Sequence, residues 1–250
     1  MKPTTALFGT SLLSLLVAAG VSTASARSAP PLPPSADDGV YSVNGTPHGK
    51  TYGQWAVAFW QWALSIPYAT NPWANDATGD FAGVAQSGPV WFLGGSLGDS
   101  FVREFEMPAG KSLLLPVHPW IFGATIFDCE PSVPGVPCDV QTLRDTAAFA
   151  ADQVTHLEVY VDGNAIDDLF DYRVTSPTSF NVTLPDGSVP TEFGAGLAAG
   201  TYGPHVSDGY YLLLKKLSVG SHVIFVHVES DLGIVYDQTY HIEVVPNAIR

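Results

Sequence analysis

Charge is scarce in this chain, and basic charge scarcest: 14% of 250 residues are charged, with 10 Lys+Arg against 24 Asp+Glu, a formal net charge of −14. A field of that sign repels phosphate backbones and anionic lipid, which argues against nucleic-acid binding and electrostatic docking to membranes. Cysteine is limited to Cys129 and Cys138, whose spacing is not C-x-x-C, so a thioredoxin-like reading has no support. H-E-x-x-H, a Walker loop and a dinucleotide fingerprint are all missing, and with them the grounds for a zinc peptidase or a nucleotide-dependent enzyme. After the N-terminal segment no apolar run approaches the roughly 20 residues of a membrane-spanning helix.

What the chain does have is apolar material. Hydrophobic residues make up 46% and aromatics 12%, enough for a substantial core and too much for a disordered polymer. Lys2, the apolar run from Leu7 to Val21 and the small-x-small triplet Ala24-Ser25-Ala26 read as a secretory signal peptide, residues 1–26, cleaved after Ala26. A membrane anchor is the competing reading, weakened by the short run and the lack of a basic stop. The mature protein is then expected to be secreted or periplasmic. Residues 27–45, opening with Pro30, Pro31, Pro33 and Pro34, read as a flexible leader, and residues 46–250 as a single domain. In an oxidising compartment Cys129 and Cys138, in a proline-rich loop, are expected to form a structural disulfide; a thiolate nucleophile or metal pair is the alternative.

Periodicity supplies the fold class. Thr51 and Gln54 form a capping-box pattern ahead of a helix whose stripe is Trp55, Phe59, Trp62 and Ile66, and Pro67 stops it. Trp60 lies off the stripe, so the helix is expected to be packed on more than one side. A second helix is predicted from Val140 to Val154 with Asp139 as its N-cap. Short apolar or alternating runs predict strands at 90–94, 101–107, 112–117, 157–161, 179–184, 210–214, 222–229 and 235–245, with Asp162-Gly163 as a hairpin turn and 185–204 as a long loop. The expectation is a mainly β protein: an antiparallel β-sandwich, jelly-roll or immunoglobulin-like, with two helices packed on or beside it.

Five groups of residues carry chemical interest. Gly94-Gly95-Ser96-Leu97-Gly98 fits G-x-S-x-G, but a strand pattern follows it where a nucleophile elbow needs a helix, so a glycine-rich turn is the better reading. His118, Asp128 and Glu130 lie at and beyond the end of a predicted strand, in the loop holding the cysteines, and are candidates for acid–base or metal chemistry, with ordinary polar surface as the alternative. Asn75, Asp76, Thr78 and Asp80 form an oxygen-rich turn that suits Ca²⁺, though the spacing departs from the calcium-loop pattern and an Asx turn is favoured. Trp73 and Trp120 fall in predicted loops and are the candidates for stacking a ligand ring, whereas Trp55, Trp60, Trp62 and Trp91 belong to periodic apolar elements. His227 and Asp237 are expected to meet across the last hairpin if Val226 pairs with Gln238.

Tyr52-Gly53-Gln54-Trp55, the run Phe59 to Pro67, Asn71-Pro72, Gln86 to Leu93 and Pro108-Ala109-Gly110-Lys111 together resemble a family of secreted bacterial proteins of uncharacterised activity. The resemblance implies export and a bacterial source, and brings no catalytic residues. The expected function is therefore an exported, non-catalytic module binding a glycan or other extracellular polymer, with no cofactor. A hydrolase or lyase built on His118, Asp128 and Glu130, or a structural envelope protein, are the alternatives.

Overall fold

A computed structural model describes residues 39–125 and 139–247. In chain order its elements are α1 (Tyr52–Leu64), β1 (Val90–Phe92), β2 (Phe101–Pro108), β3 (Ser112–Gly123), α2 (Val140–Asp152), β4 (Val154–Val161), β5 (Asn164–Ala165), β6 (Arg173–Thr175), β7 (Phe180–Leu184), α3 (Val189–Glu192), β8 (Gly200–Leu214), β9 (Gly220–Ser230) and β10 (Val235–Val245). The first sheet runs β1-β3-β8-β6, with β7 also on β8, and the second runs β2-β10-β9-β4-β5. The protein is mainly β, a sandwich of two sheets with helices, as its sequence suggests. Both sheets are mixed where an antiparallel fold was expected, because β1 runs parallel to β3 and β2 parallel to β10. None of the described helices is long and apolar enough to cross a membrane.

Burial explains why the two sheets read so differently in the sequence. The first is covered on both faces, so β3 and β8 carry uninterrupted apolar runs such as Leu113-Leu114-Leu115 and Tyr211-Leu212-Leu213-Leu214. One face, with Leu113, Leu115, Leu212 and Leu214, packs on Ile224, Val226, Val228, Tyr240, Ile242 and Val244 of the second sheet. The opposite face, with Leu114, Tyr211 and Leu213, packs on Tyr52, Phe59, Trp60 and Ala63 of α1. The second sheet has one wet face, and β9 and β10 alternate accordingly.

Local chemistry sets the ends of α1. The Thr51 hydroxyl accepts from the Gln54 N–H, and the Gln54 side chain accepts from the Thr51 N–H. At the other end the fully buried Asn71 donates its amide to the carbonyls of Ala63 and Ile66 at 2.7 and 2.9 Å, while its oxygen accepts the N–H groups of Trp73 and Ala74. One asparagine thus satisfies orphan carbonyls of the helix and sets the course of the chain through Trp73. Asp139 caps α2 as expected, accepting from the Thr142 N–H at 3.0 Å. The helix ends at Asp152, two residues early, because Val154 already opens β4.

Two arginines, Arg173 half-buried and Arg103 buried, fasten irregular chain to the sandwich. Arg173 on β6 grips Asp208 of β8 in a bidentate pair at 2.9 and 3.0 Å, reaches Asp152 and the Ala148 carbonyl on α2, and is held well above its ordinary pKa chiefly by the bond to Asp208. Arg103 on β2, 4% exposed, donates through one terminal nitrogen to the carbonyls of Pro72, Gly94 and Gly95 at 2.6–3.0 Å.

Three sequence expectations change. Residues 39–45, read as the end of a leader, are partly docked: Val40 is 5% exposed and bridges Leu214, and the Tyr41 N–H donates to the Leu213 carbonyl. The loop expected over 185–204 contains α3 and gives way to β8 at Gly200. β3 continues to Gly123 through Pro116 and Pro119, so His118 and Trp120 belong to a strand.

Candidate functional site

The site grows from an irregularity in β3. Pro116 pairs with Tyr211 and His118 with Tyr210, leaving Val117 as an extra residue opposite β8. Such a bulge shifts the alternation by one position. Leu113, Leu115 and Val117 face the sandwich interior, and after the bulge His118 turns to that same side, against Tyr236 of β10. Trp120 and Phe122 follow at two-residue intervals and stack on one another, rings 5.8 Å apart at 24°. Ile121, on the opposite face, joins the α1 core. Gly209 makes the close pairing opposite Pro119 feasible: its φ is +147°, and a Cβ there would lie 2.4 Å from the His118 carbonyl oxygen.

His118, Pro119, Trp120 and Ile121 of this strand line a cleft of about 180 Å³. Trp60 and Trp73 also line it, packed edge to face with centroids 5.0 Å apart. His118, Trp120 and Tyr236 form the polar-edged side, and Leu97 and Ile234 the remaining apolar lining. No lining residue carries a formal charge at neutral pH; Ser96, Gly98, Pro119 and Ile121 complete the set. Trp60 donates to Tyr211 and Ser207 and is fully satisfied.

Hydrogen bonding assigns the state of His118. The Tyr236 hydroxyl donates to the Val117 carbonyl at 2.6 Å, so its oxygen accepts from Nδ1–H of His118 at 2.9 Å. Nε2 then carries a bare lone pair, and no group accepts or donates there. Burial holds the imidazole neutral by lowering its pKa to about 4. The indole N–H of Trp120, whose ring meets His118 edge to face at 5.4 Å, is likewise buried without a partner. His118 and Trp120, both in the cleft lining, thus carry one bare acceptor and one bare donor, each of them buried.

The candidates from sequence distribute unevenly around this cleft. Trp73, Trp120 and His118 are brought together in its lining. Trp73 is only 7% exposed, so it serves as a wall, while Trp120 is half-buried. Asp128, Glu130 and the pair Cys129 and Cys138 lie outside the described residues. Trp55, Trp60, Trp62 and Trp91 are buried in the core. Sequence reasoning missed Trp60 and Tyr236 as part of the site, since each sits in a regular apolar element; the signal available was Trp60's place off the helix stripe.

Other motifs resolve into structure. The Ser96 hydroxyl donates to the Asp99 carbonyl and accepts from the N–H groups of Gly98 and Asp99 and from Gln238, a turn-stabilising role that leaves no proton for a base to take. Asp76, 5% exposed, accepts the N–H groups of Gly79 and Phe81, and the Thr78 hydroxyl donates to Asp80. Asn75 and Asp80 are exposed. This is an Asx-type turn; among the described residues no group of three or more His, Cys, Asp or Glu is placed to hold a metal ion. On the outer face of the second sheet, Val226 pairs with Gln238 and His227 meets Asp237 at 2.7 Å, as the strand pattern predicts. That contact is the main reason the His227 pKa lies above its ordinary value.

The comparisons with known proteins add no relative: no protein-family model and no curated protein matches the chain.

Proposed function

We propose that this protein is an exported binding module that takes one ring of an extracellular polymer, most simply a glycan, into the cleft walled by Trp60, Trp73, Trp120 and Tyr236. The observation that supports this reading is the aromatic lining, two of whose residues carry an unpartnered polar atom, an arrangement suited to grip a flat ring and fix its orientation. Its size suits a single ring: about 180 Å³ is below the roughly 300 Å³ at which drug-sized pockets begin. Binding is favoured over hydrolysis because the one imidazole present is a weak base at neutral pH and makes its Nδ1 bond to Tyr236, where a catalytic base is better served by a pKa near 7. The signal-like N-terminus supports export, and cleavage after Ala26 would leave Arg27 as the first residue of the secreted chain.

The test is retention on insoluble polysaccharides. Wild-type protein is expected to be retained, and Trp120→Ala to lose at least about 10-fold in affinity, the scale of a lost stacking contact with its hydrogen bond, with an unchanged circular dichroism spectrum. Equal retention of both proteins, or retention of neither, would count against the reading. Release of soluble sugar from the polymer would move the hydrolase alternative ahead.

A further inference from the structure

Buried polar groups almost always find partners, so those that do not ask for an explanation. Five buried side-chain nitrogens among the described residues lack one: those of Trp91, Arg103 (Nε), His118 (Nε2), Trp120 and His205 (Nδ1). Trp91 and Arg103 line a space of about 10 Å³, too small for any ligand group beyond a water, and His205 is fully buried. His118 and Trp120 differ, because both line the 180 Å³ cleft. They are also complementary in kind, a lone-pair acceptor and an N–H donor on residues two apart along one face of β3.

Resting on the glycan-binding reading, we infer that the ligand is an uncharged ring held by one hydroxyl group, which donates to Nε2 of His118 and accepts from the indole N–H of Trp120. A hydroxyl is the smallest group that donates and accepts at once, so a single ring substituent answers both atoms. A carboxylate answers only the indole, and it meets the His118 lone pair with its own. The cleft holds no cation to offset such a charge, and the chain's net charge is −14, so an acidic sugar is disfavoured twice. An ammonium answers only the imidazole and leaves the indole N–H unpaired. The site thus selects neutral hydroxylated rings, and sugars and phenols share that chemistry.

The experiment follows intrinsic tryptophan fluorescence of the mature chain titrated with neutral hexose oligomers, the corresponding uronic acid oligomers, p-cresol and tetramethylammonium. Each is repeated on Trp120→Phe, which keeps an aromatic ring and removes the donor, and on His118→Phe, which removes the acceptor; circular dichroism confirms that each variant is folded. The inference predicts that neutral oligomers bind, that uronic oligomers bind at least about 10-fold more weakly, and that Trp120→Phe loses about 10-fold for the neutral ligand. Should p-cresol alone bind, with the same loss in Trp120→Phe, the hydroxyl anchor stands and the glycan reading falls. Neutral oligomers bound equally by wild type and Trp120→Phe would overturn the anchor while leaving the glycan reading in place. Tight binding of tetramethylammonium or of uronic oligomers overturns the inference, as does a panel in which nothing binds. If His118→Phe does not fold, the Trp120→Phe comparison and the neutral-to-uronic ratio still decide the matter.

Discussion

Replacing Arg103 with methionine is expected to lower the unfolding free energy by about 3–5 kcal/mol, the range for removing one side of a buried charged hydrogen-bond set. Its guanidinium holds three backbone carbonyls, at Pro72, Gly94 and Gly95, of which Gly94 also accepts from the Tyr240 hydroxyl. It also lies near the buried Asp76 and over the Phe101 ring at 3.8 Å. Burial lowers the arginine pKa, but guanidinium retains its proton throughout the accessible range. Because the carbonyls at 72 and 94–95 flank Trp73 and Ser96, the variant should also loosen the cleft. Equilibrium denaturation at pH 7 measures the first effect. Arg103→Lys restores the charge without the guanidinium fork, so it should recover part of the loss; a methionine variant as stable as wild type would show that packing alone seats this segment.

Acid should destabilise the protein earlier than carboxylate titration would. His118 and His205 are both buried, and desolvation lowers each pKa to about 4 from an ordinary 6.5. In the unfolded chain they take up protons as pH falls through 6.5, while the folded protein refuses them until about pH 4. Stability is therefore fully present at neutral pH and is lost as pH falls through that window. At pH 5 the loss is about 2 kcal/mol per histidine, about 4 for the pair. His227 works in the opposite sense: its pKa is raised, first by the bond to Asp237, so its contribution is present in acid and lost as pH rises. It sits on the wet outer face, where an ion pair contributes little, and the buried pair sets the slope. Denaturant curves at pH 7 and pH 5 test this. His205→Gln, which keeps a hydrogen-bonding group near Thr125, should show about half the wild-type pH dependence; a flat profile would mean that the buried imidazoles are protonated in the fold or reached by water.

The wet sheet was the most legible part of the sequence. In β9 and β10 one face meets the core and the other meets solvent, so hydrophobic alternation, and with it the register of Val226 against Gln238 and His227 against Asp237, could be read directly. The termini of α1 and α2 were legible because capping is local chemistry: Thr51 with Gln54, and Asp139, act within three residues of themselves. Partner choice was not legible. Nothing in the run Phe101 to Pro108 says that β2 will lie parallel to β10, the last strand in the chain. The strand expected over 112–117 was read as ending at Val117, yet β3 runs on to Gly123, with the bulge at Val117 between Pro116 and His118.

That bulge also explains how far the site itself could be read. Trp73, Trp120 and His118 stood out individually for their chemistry, and all three line the cleft. That His118 and Trp120 face the sandwich interior depends on one extra residue in β3, and strict alternation from Leu113 and Leu115 would have turned them toward α1. Tyr236 drew no attention, being one of the inward residues of β10. Its functional part lies in its hydroxyl, which is bonded to the Val117 carbonyl and fixes the tautomer of a histidine 118 positions away. Such long-range bonds leave no periodic trace.

The central claim is that a ligand ring enters this cleft and meets Trp120. The most direct measurement is the indole N–H proton resonance of Trp120, assigned by its absence in Trp120→Phe and followed by NMR while a retained neutral oligomer is titrated into the mature protein. The account predicts that this resonance moves downfield as the N–H gains an acceptor, with the same dissociation constant as polymer retention. A Trp120 resonance that stays fixed while others shift would place the ligand elsewhere and contradict the account.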